Sequence, residues 1–314
     1  MGLLTRWRKD PSAGIAHEVH QAIALLTKHT AESAEAALRK ALDESRTALG
    51  KQHRLTAAAW AGHGVALYYC GRYAESEATL RKLAADRAHL PGDEWALHAL
   101  VAAPLAMSAQ GGHAQALEEM DEILPYIVRI RGSEHSLTLK ARCERAAILC
   151  DLLRYEEAER EARELIALAD RGKDPRSRPV SLSARDALAT ALSGQSRHTE
   201  GETVAREGLL RRRPRTPSDI RCAAALRLTL VGTLNGQGRH AEALTELMAL
   251  PLPLPFAETG APELARAQAY LGLDRRAEAA HEARTALASI TRVLGPAHRR
   301  AQEAHDLLDT LTSP

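Results

Sequence analysis

Apolar and small residues recur at three- and four-residue steps along most of the chain, the spacing of one face of an α-helix. The segment 58–69 shows this spacing, with Trp60 and Gly64 on the apolar side. Gly71 follows, and glycine can take the left-handed conformation that ends a helix. A Pro-Gly pair at 91–92 stops the next helical stretch. The pattern predicts helical hairpins and almost no β-strand.

The hairpin signal returns at a fixed period. Six short turns similar to Arg-Tyr-Ala-Glu-Ser each end on a small residue, at spacings of 40, 42, 43, 42 and 36. Those residues are Ser76, Ala116, Ala158, Gly201, Ala243 and Ala279. A second motif, Leu-Gly-x-x-His or Arg-Gly-x-x-His, places His53, His135 and His298 82 and 163 residues apart. Such self-similarity is typical of a stacked repeat array, whose function lies on an extended surface.

The stop signals divide the chain into seven hairpins and one final helix. We expect joints near residues 50, 92, 132, 174, 215, 255 and 295. Residues 1–12 are predicted to be a flexible tail, and 13–314 a single solenoid. The last helix, at about 298–312, is polar on several sides. It is predicted to cap the array, because the end of a solenoid needs a polar face toward solvent. The run 251–255 is too rich in proline for a helix and is predicted to be a loop.

These hairpins resemble the tetratricopeptide repeat (TPR) family. Its pattern is a large apolar residue, a small one four later, a bulky one three further on, and a small residue opening the second helix. Trp60, Gly64, Leu67 and Ser76 match those offsets. The period near 42 and the Gly-x-x-His joints are similar to the longer kinesin-light-chain-type repeats. The resemblance implies an all-α, right-handed superhelical solenoid. It departs at Pro104 and in the shortened sixth repeat, where we expect kinks.

Composition narrows the function classes. Hydrophobic residues make up 45% of the chain but aromatics only 3%, so the core is built from alanine and leucine. The net charge of +2 gives no global attraction to nucleic acid or membrane, and a nucleic-acid partner is disfavoured. No apolar run is long enough to span a bilayer. Four cysteines without a CxxC pair fit a reducing cytoplasm.

Strings that imitate catalytic motifs fall at repeat turns. Gly236-Gln-Gly238-Arg-His mimics a dinucleotide-binding turn but lies where a hairpin elbow belongs. The elbow position holds an aromatic ring in five repeats and is predicted to pack: Tyr73, His113, Tyr155, His198 and His240. No catalytic residues, metal or cofactor are predicted, and we expect a protein that is not an enzyme.

By the resemblance, the ligand groove is the concave face, lined by the first helix of each hairpin. Carrying the register over places on it Tyr68, Tyr69, His98, Val101, Lys140, Asp151, Asp186, Thr190, Leu228, Asn235, Leu264 and Gln268. Among these, the amides of Asn235 and Gln268 can bind a peptide backbone without reading its sequence.

Two sets of arginines recur with the repeat. Arg142, Arg185 and Arg227 share one repeat position; the resemblance favours a ladder with acids of the neighbouring helix. The alternative is an anion-binding row for a carboxylate or phosphate, which forked guanidinium donors suit. The joints hold a basic rim for an acidic partner, or else solvated loop charges near helix C-termini. That rim is Arg176, Arg178, Arg211, Arg212, Arg213 and Arg215.

These features predict a non-catalytic cytoplasmic adaptor that binds a peptide or an extended protein segment in its concave groove. One alternative is a regulatory sensor that responds to a peptide. Another is an accessory protein or enzyme of a biosynthetic pathway that uses the groove as a small-molecule site. The sequence is also compatible with a homodimer.

Overall fold

Fifteen α-helices make up nearly all of the described chain, and none of the described residues forms a strand. The computed structural model describes residues 11–25, 31–171, 177–210, 216–251, 259–296 and 298–312. The helices are α1 Pro11–Leu25, α2 Ala31–Leu49, α3 Arg54–Tyr69, α4 Tyr73–Asp86, α5 Glu94–Ala109, α6 His113–Arg131, α7 Ser136–Asp151, α8 Tyr155–Arg171, α9 Ser177–Gly194, α10 His198–Leu210, α11 Pro217–Gly236, α12 His240–Met248, α13 Ala261–Gly272, α14 Arg276–Val293 and α15 Arg299–Thr312. Within these ranges no helix combines the length and apolar character needed to span a bilayer.

Consecutive helices pair into seven hairpins, and α15 follows alone. Each first helix packs on the first helix of the next hairpin, from α1 on α3 through to α13 on α15. Each second helix packs between the first helix of its own hairpin and that of the next. A hairpin therefore contacts mainly its neighbours, as in a solenoid. The predicted seven hairpins and final helix are confirmed.

The six periodic small residues lie where two helices cross closely. Five of them have no exposed surface, and Gly201 is buried as well. The Ser76 hydroxyl donates a hydrogen bond to the Gly64 carbonyl at 2.7 Å. A Cβ added at Gly201 would lie 3.1 Å from the Ala189 carbonyl oxygen. Larger side chains would push the helices apart, which explains the small residue in every unit.

In the second motif the histidine caps the helix that follows. Nδ1 of His53 accepts a hydrogen bond from the backbone N–H two residues later at 3.2 Å, and His135 and His298 do the same at 3.1 Å. The glycine three residues before each histidine has φ between 87° and 90°, a region that favours glycine. The motif therefore ends one hairpin and starts the next.

Four segments were expected to be irregular. Helix α5 runs without interruption through Pro104, so the proline does not break the third hairpin. The shortening of the sixth repeat falls on α12, which has nine residues. Helix α1 already begins at Pro11, so the predicted tail is at least two residues too long, and residues 1–10 lie outside the described part. Most of the predicted 251–255 loop lies outside it too.

Candidate ligand groove

A cavity of about 730 Å³ follows the inner side of the stack. Its walls come from the first helices α3, α5, α7, α9 and α11, with further residues from the elbows and from the start of α15. Successive first helices expose equivalent faces because the hairpins repeat, and the faces join into one surface. The cavity therefore offers a continuous site across five hairpins.

Eight of the twelve residues predicted for the groove line this cavity. Seven of them are on the four first helices α3, α5, α7 and α9, and the eighth is on α11. They are Tyr68, Tyr69, His98, Lys140, Asp151, Asp186, Thr190 and Leu228. The structure brings these side chains to one surface, and binding of a ligand there is a proposal taken up below.

The other four predicted residues do not line the cavity. Val101 and Leu264 are buried in the core, 0% and 5% exposed. The Asn235 amide donates to the Ala265 carbonyl at 2.9 Å, so it joins α11 to α13 instead of facing a ligand. Gln268 is exposed but is not part of the cavity wall.

Three tyrosines form the aromatic part of the wall. Tyr68 meets Tyr69 and Tyr73 edge to face, with ring centroids 5.6 and 5.1 Å apart. Burial raises the pKa of Tyr68 well above its ordinary value, so its hydroxyl stays protonated. Arg221 of α11 places its guanidinium over the Tyr69 ring, 4.5 Å from the centroid. This contact joins the α3 and α11 walls, and it shows that the groove accepts a cation on an aromatic face.

Acidic side chains stand in the middle of the groove. The carboxylate of Asp186 accepts a hydrogen bond from the Thr229 hydroxyl at 2.6 Å. Desolvation by the surrounding protein raises the pKa of Asp186 to about 6, although the Thr229 hydrogen bond acts against it. Desolvation also raises the pKa of Glu144 on α7, and the charge of Lys140 offsets part of that change. The groove therefore holds two carboxylates that are poorly stabilised in their charged form.

His98 lies near Lys140 in the same wall. Burial lowers the pKa of His98 to about 4, and the positive charge of Lys140 lowers it further. The ring is therefore neutral at pH 7 and can both donate and accept a hydrogen bond. Its ring lies 5.8 Å from that of Trp95.

The C-terminal end closes on the N-terminal half of the groove. His298, Arg299 and Arg300 line the same cavity as Tyr73 and His113. Burial lowers the pKa of His298 to about 4, and the charges of Arg300 and His113 add to this effect. The sequence analysis did not place these residues in the groove. A contact between residues more than 200 positions apart depends on the curvature of the whole array, for which the sequence has no local signal.

The arginine row forms ion pairs with acids of neighbouring second helices, α8 and α12, and does not line the groove. Arg142 pairs with Glu161 and Glu164, at 3.2 and 2.7 Å. Arg185, 3% exposed, pairs with Asp170 at 2.8 Å. Arg227 pairs with Glu246. The ladder interpretation therefore describes the geometry, and the proposed anion-binding row is corrected because its guanidiniums already hold acids.

The elbow rings pack on the next hairpin. A Cβ added at Gly236 would lie 2.5 Å from the ring of His198, and Gly194 and Gly272 are covered in the same way by Tyr155 and His240. Ser193 holds Nδ1 of His198 at 2.9 Å. The ring of one elbow thus fills the space left by a glycine at the end of the next first helix.

In three of the elbow motifs the arginine, Arg72, Arg197 or Arg239, also pairs with an acid of the preceding hairpin. Arg197 binds Glu200, three residues later, at 2.7 Å, and reaches Glu159 of the preceding hairpin at 2.9 Å. Arg239 binds Glu242 at 2.7 Å and also reaches Glu202. We call these contacts the elbow clamp. The Arg-x-x-Glu spacing in the motif was a signal for it that the sequence analysis did not use.

Most of the predicted basic rim lies outside the described part of the chain. Residues Arg176, Arg211, Arg212, Arg213 and Arg215 lie outside the described part, and of Arg178 only the helical backbone is described. The rim stays a prediction.

Comparison with known proteins shows the fold. No protein-family model and no curated protein sequence matches the chain. A solved tetratricopeptide repeat protein from Parabacteroides merdae matches 96% of this chain and 100% of its own, with TM-score 0.53 and 15% identity. A Rap protein solved in complex with Competence and Sporulation Factor matches 96% of this chain and 88% of its own, with TM-score 0.61 and 12% identity.

A third structure, from a Podosopora anserina kinesin light chain with nearly identical TPR-like repeats, covers 62% of this chain and 93% of its own at 18% identity. Its TM-score is 0.48, and the conclusion on fold depends on the other two. With helical hairpins that stack in order and two matches in shape over 96% of the chain, the chain has the fold of a tetratricopeptide-type repeat array.

Proposed function

We propose that the protein is a non-catalytic interaction module that binds an extended polypeptide segment in its concave groove. The observation that carries the proposal is the continuous cavity across five hairpins, with aromatic, hydroxyl and charged side chains in its walls. Polar groups spaced along an open groove suit a chain with repeated backbone donors and acceptors. The similarity in shape to a Rap protein that was solved in complex with a factor supports a binding role.

We further propose that the protein works in the cytoplasm. Cys70, Cys143, Cys150 and Cys222 are all free thiols, and two of them are buried. Free thiols are typical of a reducing compartment.

A matched pair of substitutions tests the groove. Thr190→Arg puts a long side chain into the cavity wall, whereas Thr203→Arg puts the same side chain on the exposed outer face of α10. A displayed library of random peptides would be selected on the wild-type protein, and the affinity of enriched peptides measured by fluorescence anisotropy. We expect Thr190→Arg to weaken binding about tenfold or more, because lost desolvated contacts cost a few kcal/mol, while Thr203→Arg binds like wild type. Equal binding by both variants would place the site elsewhere.

A regulatory sensor is the second candidate, and one observation favours it. The start of α15 and the first turns of α4 and α6 line the same cavity, so a bound ligand would contact both halves of the array. Ligand contacts that differ between an open and a closed array would shift its curvature. Small-angle scattering with a selected peptide checks this: a smaller radius of gyration on binding supports the sensor, and an unchanged one supports a rigid adaptor.

A further inference from the structure

Glu144 and Asp186 face the groove from adjacent helices. They lie on α7 and α9, which pack together, and both side chains line the cavity. Among the described residues neither carboxylate takes part in an ion pair, and the hydrogen bond shown is the one from Thr229 to Asp186. The acids between successive second helices, by contrast, pair with arginines, as Glu159 and Glu202 do.

The two carboxylates act on the same stretch of wall. Burial raises the pKa of the Cys222 thiol most, and the negative charges of Glu144 and Asp186 both raise it further. Glu144 also acts on the phenol of Tyr68. Cys222 and Tyr68 line the cavity too, so the acids, the thiol and the aromatic ring surround one section of the groove.

The cations of the groove offset the charge of this section only in part. The charge of Arg221 lowers the pKa of Cys222, against the effect of the two acids, but no arginine of the described groove wall acts on Glu144 or Asp186. Lys140 lies one helical turn before Glu144, yet its attraction is smaller than the effect of burial on the Glu144 pKa. The Arg221 guanidinium lies over the Tyr69 ring. His98 is neutral at pH 7 because burial lowers its pKa to about 4. A desolvated carboxylate without a cation is costly, and a cation supplied by a ligand would relieve that cost.

We propose that the polypeptide bound in the groove carries an arginine or lysine whose cationic head lies between Glu144 and Asp186, with its stem along Tyr68. A guanidinium can donate to two carboxylates in one plane and can pack on an aromatic face, and an ammonium can do so less specifically. This inference rests on the proposed function, and it adds the chemistry that the groove selects.

The test uses peptides selected from the displayed library on the full chain. The best binder is synthesised in two forms, with each arginine or lysine intact and with arginine replaced by citrulline or lysine by norleucine. On the wild-type protein we expect the neutral form to bind at least about tenfold more weakly, since truncating a desolvated charge pair is costly. On the double variant Glu144→Gln with Asp186→Asn, the two forms should bind within about twofold of each other.

Asp151→Asn is the matched control. Asp151 also lines the groove, but it is half exposed and lies 3.8 Å from His113, so its loss should leave the preference for the cationic peptide intact. A preference that survives the double variant, or that disappears with Asp151→Asn, overturns the assignment. Asp186→Asn keeps an acceptor for Thr229, and circular dichroism of each variant checks that the helices remain.

The outcomes separate the two proposals. Peptides that bind, are blocked by Thr190→Arg and show no need for a cationic side chain would overturn this inference and leave the proposed function in place. A library that yields no peptide blocked by Thr190→Arg would overturn both.

Discussion

Glu202 in the elbow clamp and Glu144 in the groove are glutamates of one repeat array in opposite surroundings. Glu202 is 8% exposed and accepts hydrogen bonds from Arg206 at 2.7 Å, from Gln237 at 2.9 Å and from Arg239. Glu144 has its pKa raised by burial and pairs with no arginine of the described chain. Charge thus stabilises the contacts between hairpins, and it is left uncompensated where the array faces its groove. Groups that are poorly satisfied in the free protein are typical of binding sites.

Removing each glutamate tests this contrast most strongly. Glu202→Ala removes one acceptor from each of two guanidiniums and an amide, which keep other partners. We expect it to lower the free energy of unfolding by about 2–3 kcal/mol, since hydrogen bonds to charged groups contribute about 1.5–3 each but are not additive. Glu144→Ala removes a desolvated charge and adds a good helix former, so the stability should stay equal or rise. Urea unfolding followed by circular dichroism measures both. A similar loss in the two variants would remove the distinction between clamp and groove.

The hairpins could be anticipated from sequence, because their signals are local. The small residue at Ser76 and its five equivalents marks a helix crossing inside one hairpin, and the capping histidine at 53 acts two residues away. Which side chains of the first helices face the groove was harder to predict. A change of one position on a helix rotates a side chain by about 100°, which is enough to move Val101 from the groove into the core.

Other features of the groove depend on the assembled array. Arg300 reaches the wall near Tyr73 only because seven hairpins curve together. The uncompensated state of Glu144 depends on what the neighbouring helices do not supply. Neither fact corresponds to a motif, so sequence analysis could place Asp186 in the groove but could not show that its charge lacks a partner.

Substitutions at two glycines of α11 test the packing of the elbow ring separately from the ion pairs of the elbow clamp. Gly236→Ala puts a methyl group against the His198 ring, and we expect a loss of about 1–2 kcal/mol in stability from overpacking. Gly232, one turn earlier in the same helix, has open space around it, so Gly232→Ala should gain about 0.5–1 kcal/mol from helix propensity. Thermal unfolding of the two variants gives the comparison. Equal shifts would show that the elbow ring moves aside freely.

The pH dependence of stability tests the groove side of the comparison. The folded pKa of Asp186, about 6, is above its ordinary value of 3.8, so its carboxyl favours folding fully below the unfolded pKa, and this contribution is lost as pH rises through the folded pKa. From about pH 7.5 to about pH 5 the wild type should therefore gain about 1 kcal/mol relative to Asp186→Asn. Urea unfolding of both proteins at the two pH values measures the difference. If the free energy of unfolding changed equally with pH in both proteins, water would solvate the Asp186 carboxylate in the groove.

The smallest expected effect distinguishes two arginines at equivalent elbow positions. Arg197 joins its own Glu200 to Glu159 of the preceding hairpin, whereas the pairing shown for Arg154 is with Glu157, three residues later in the same hairpin. A surface pair within one helix turn adds little to stability, and salt screens it. We expect Arg154→Ala to leave the urea midpoint unchanged, and Arg197→Ala to lower it slightly at low salt and less at high salt. If Arg154→Ala lowered the midpoint as much as Arg197→Ala does, the stabilisation would come from the local Arg-x-x-Glu pair. The ion pair between hairpins would then contribute nothing, and the contrast between clamp and groove would fail.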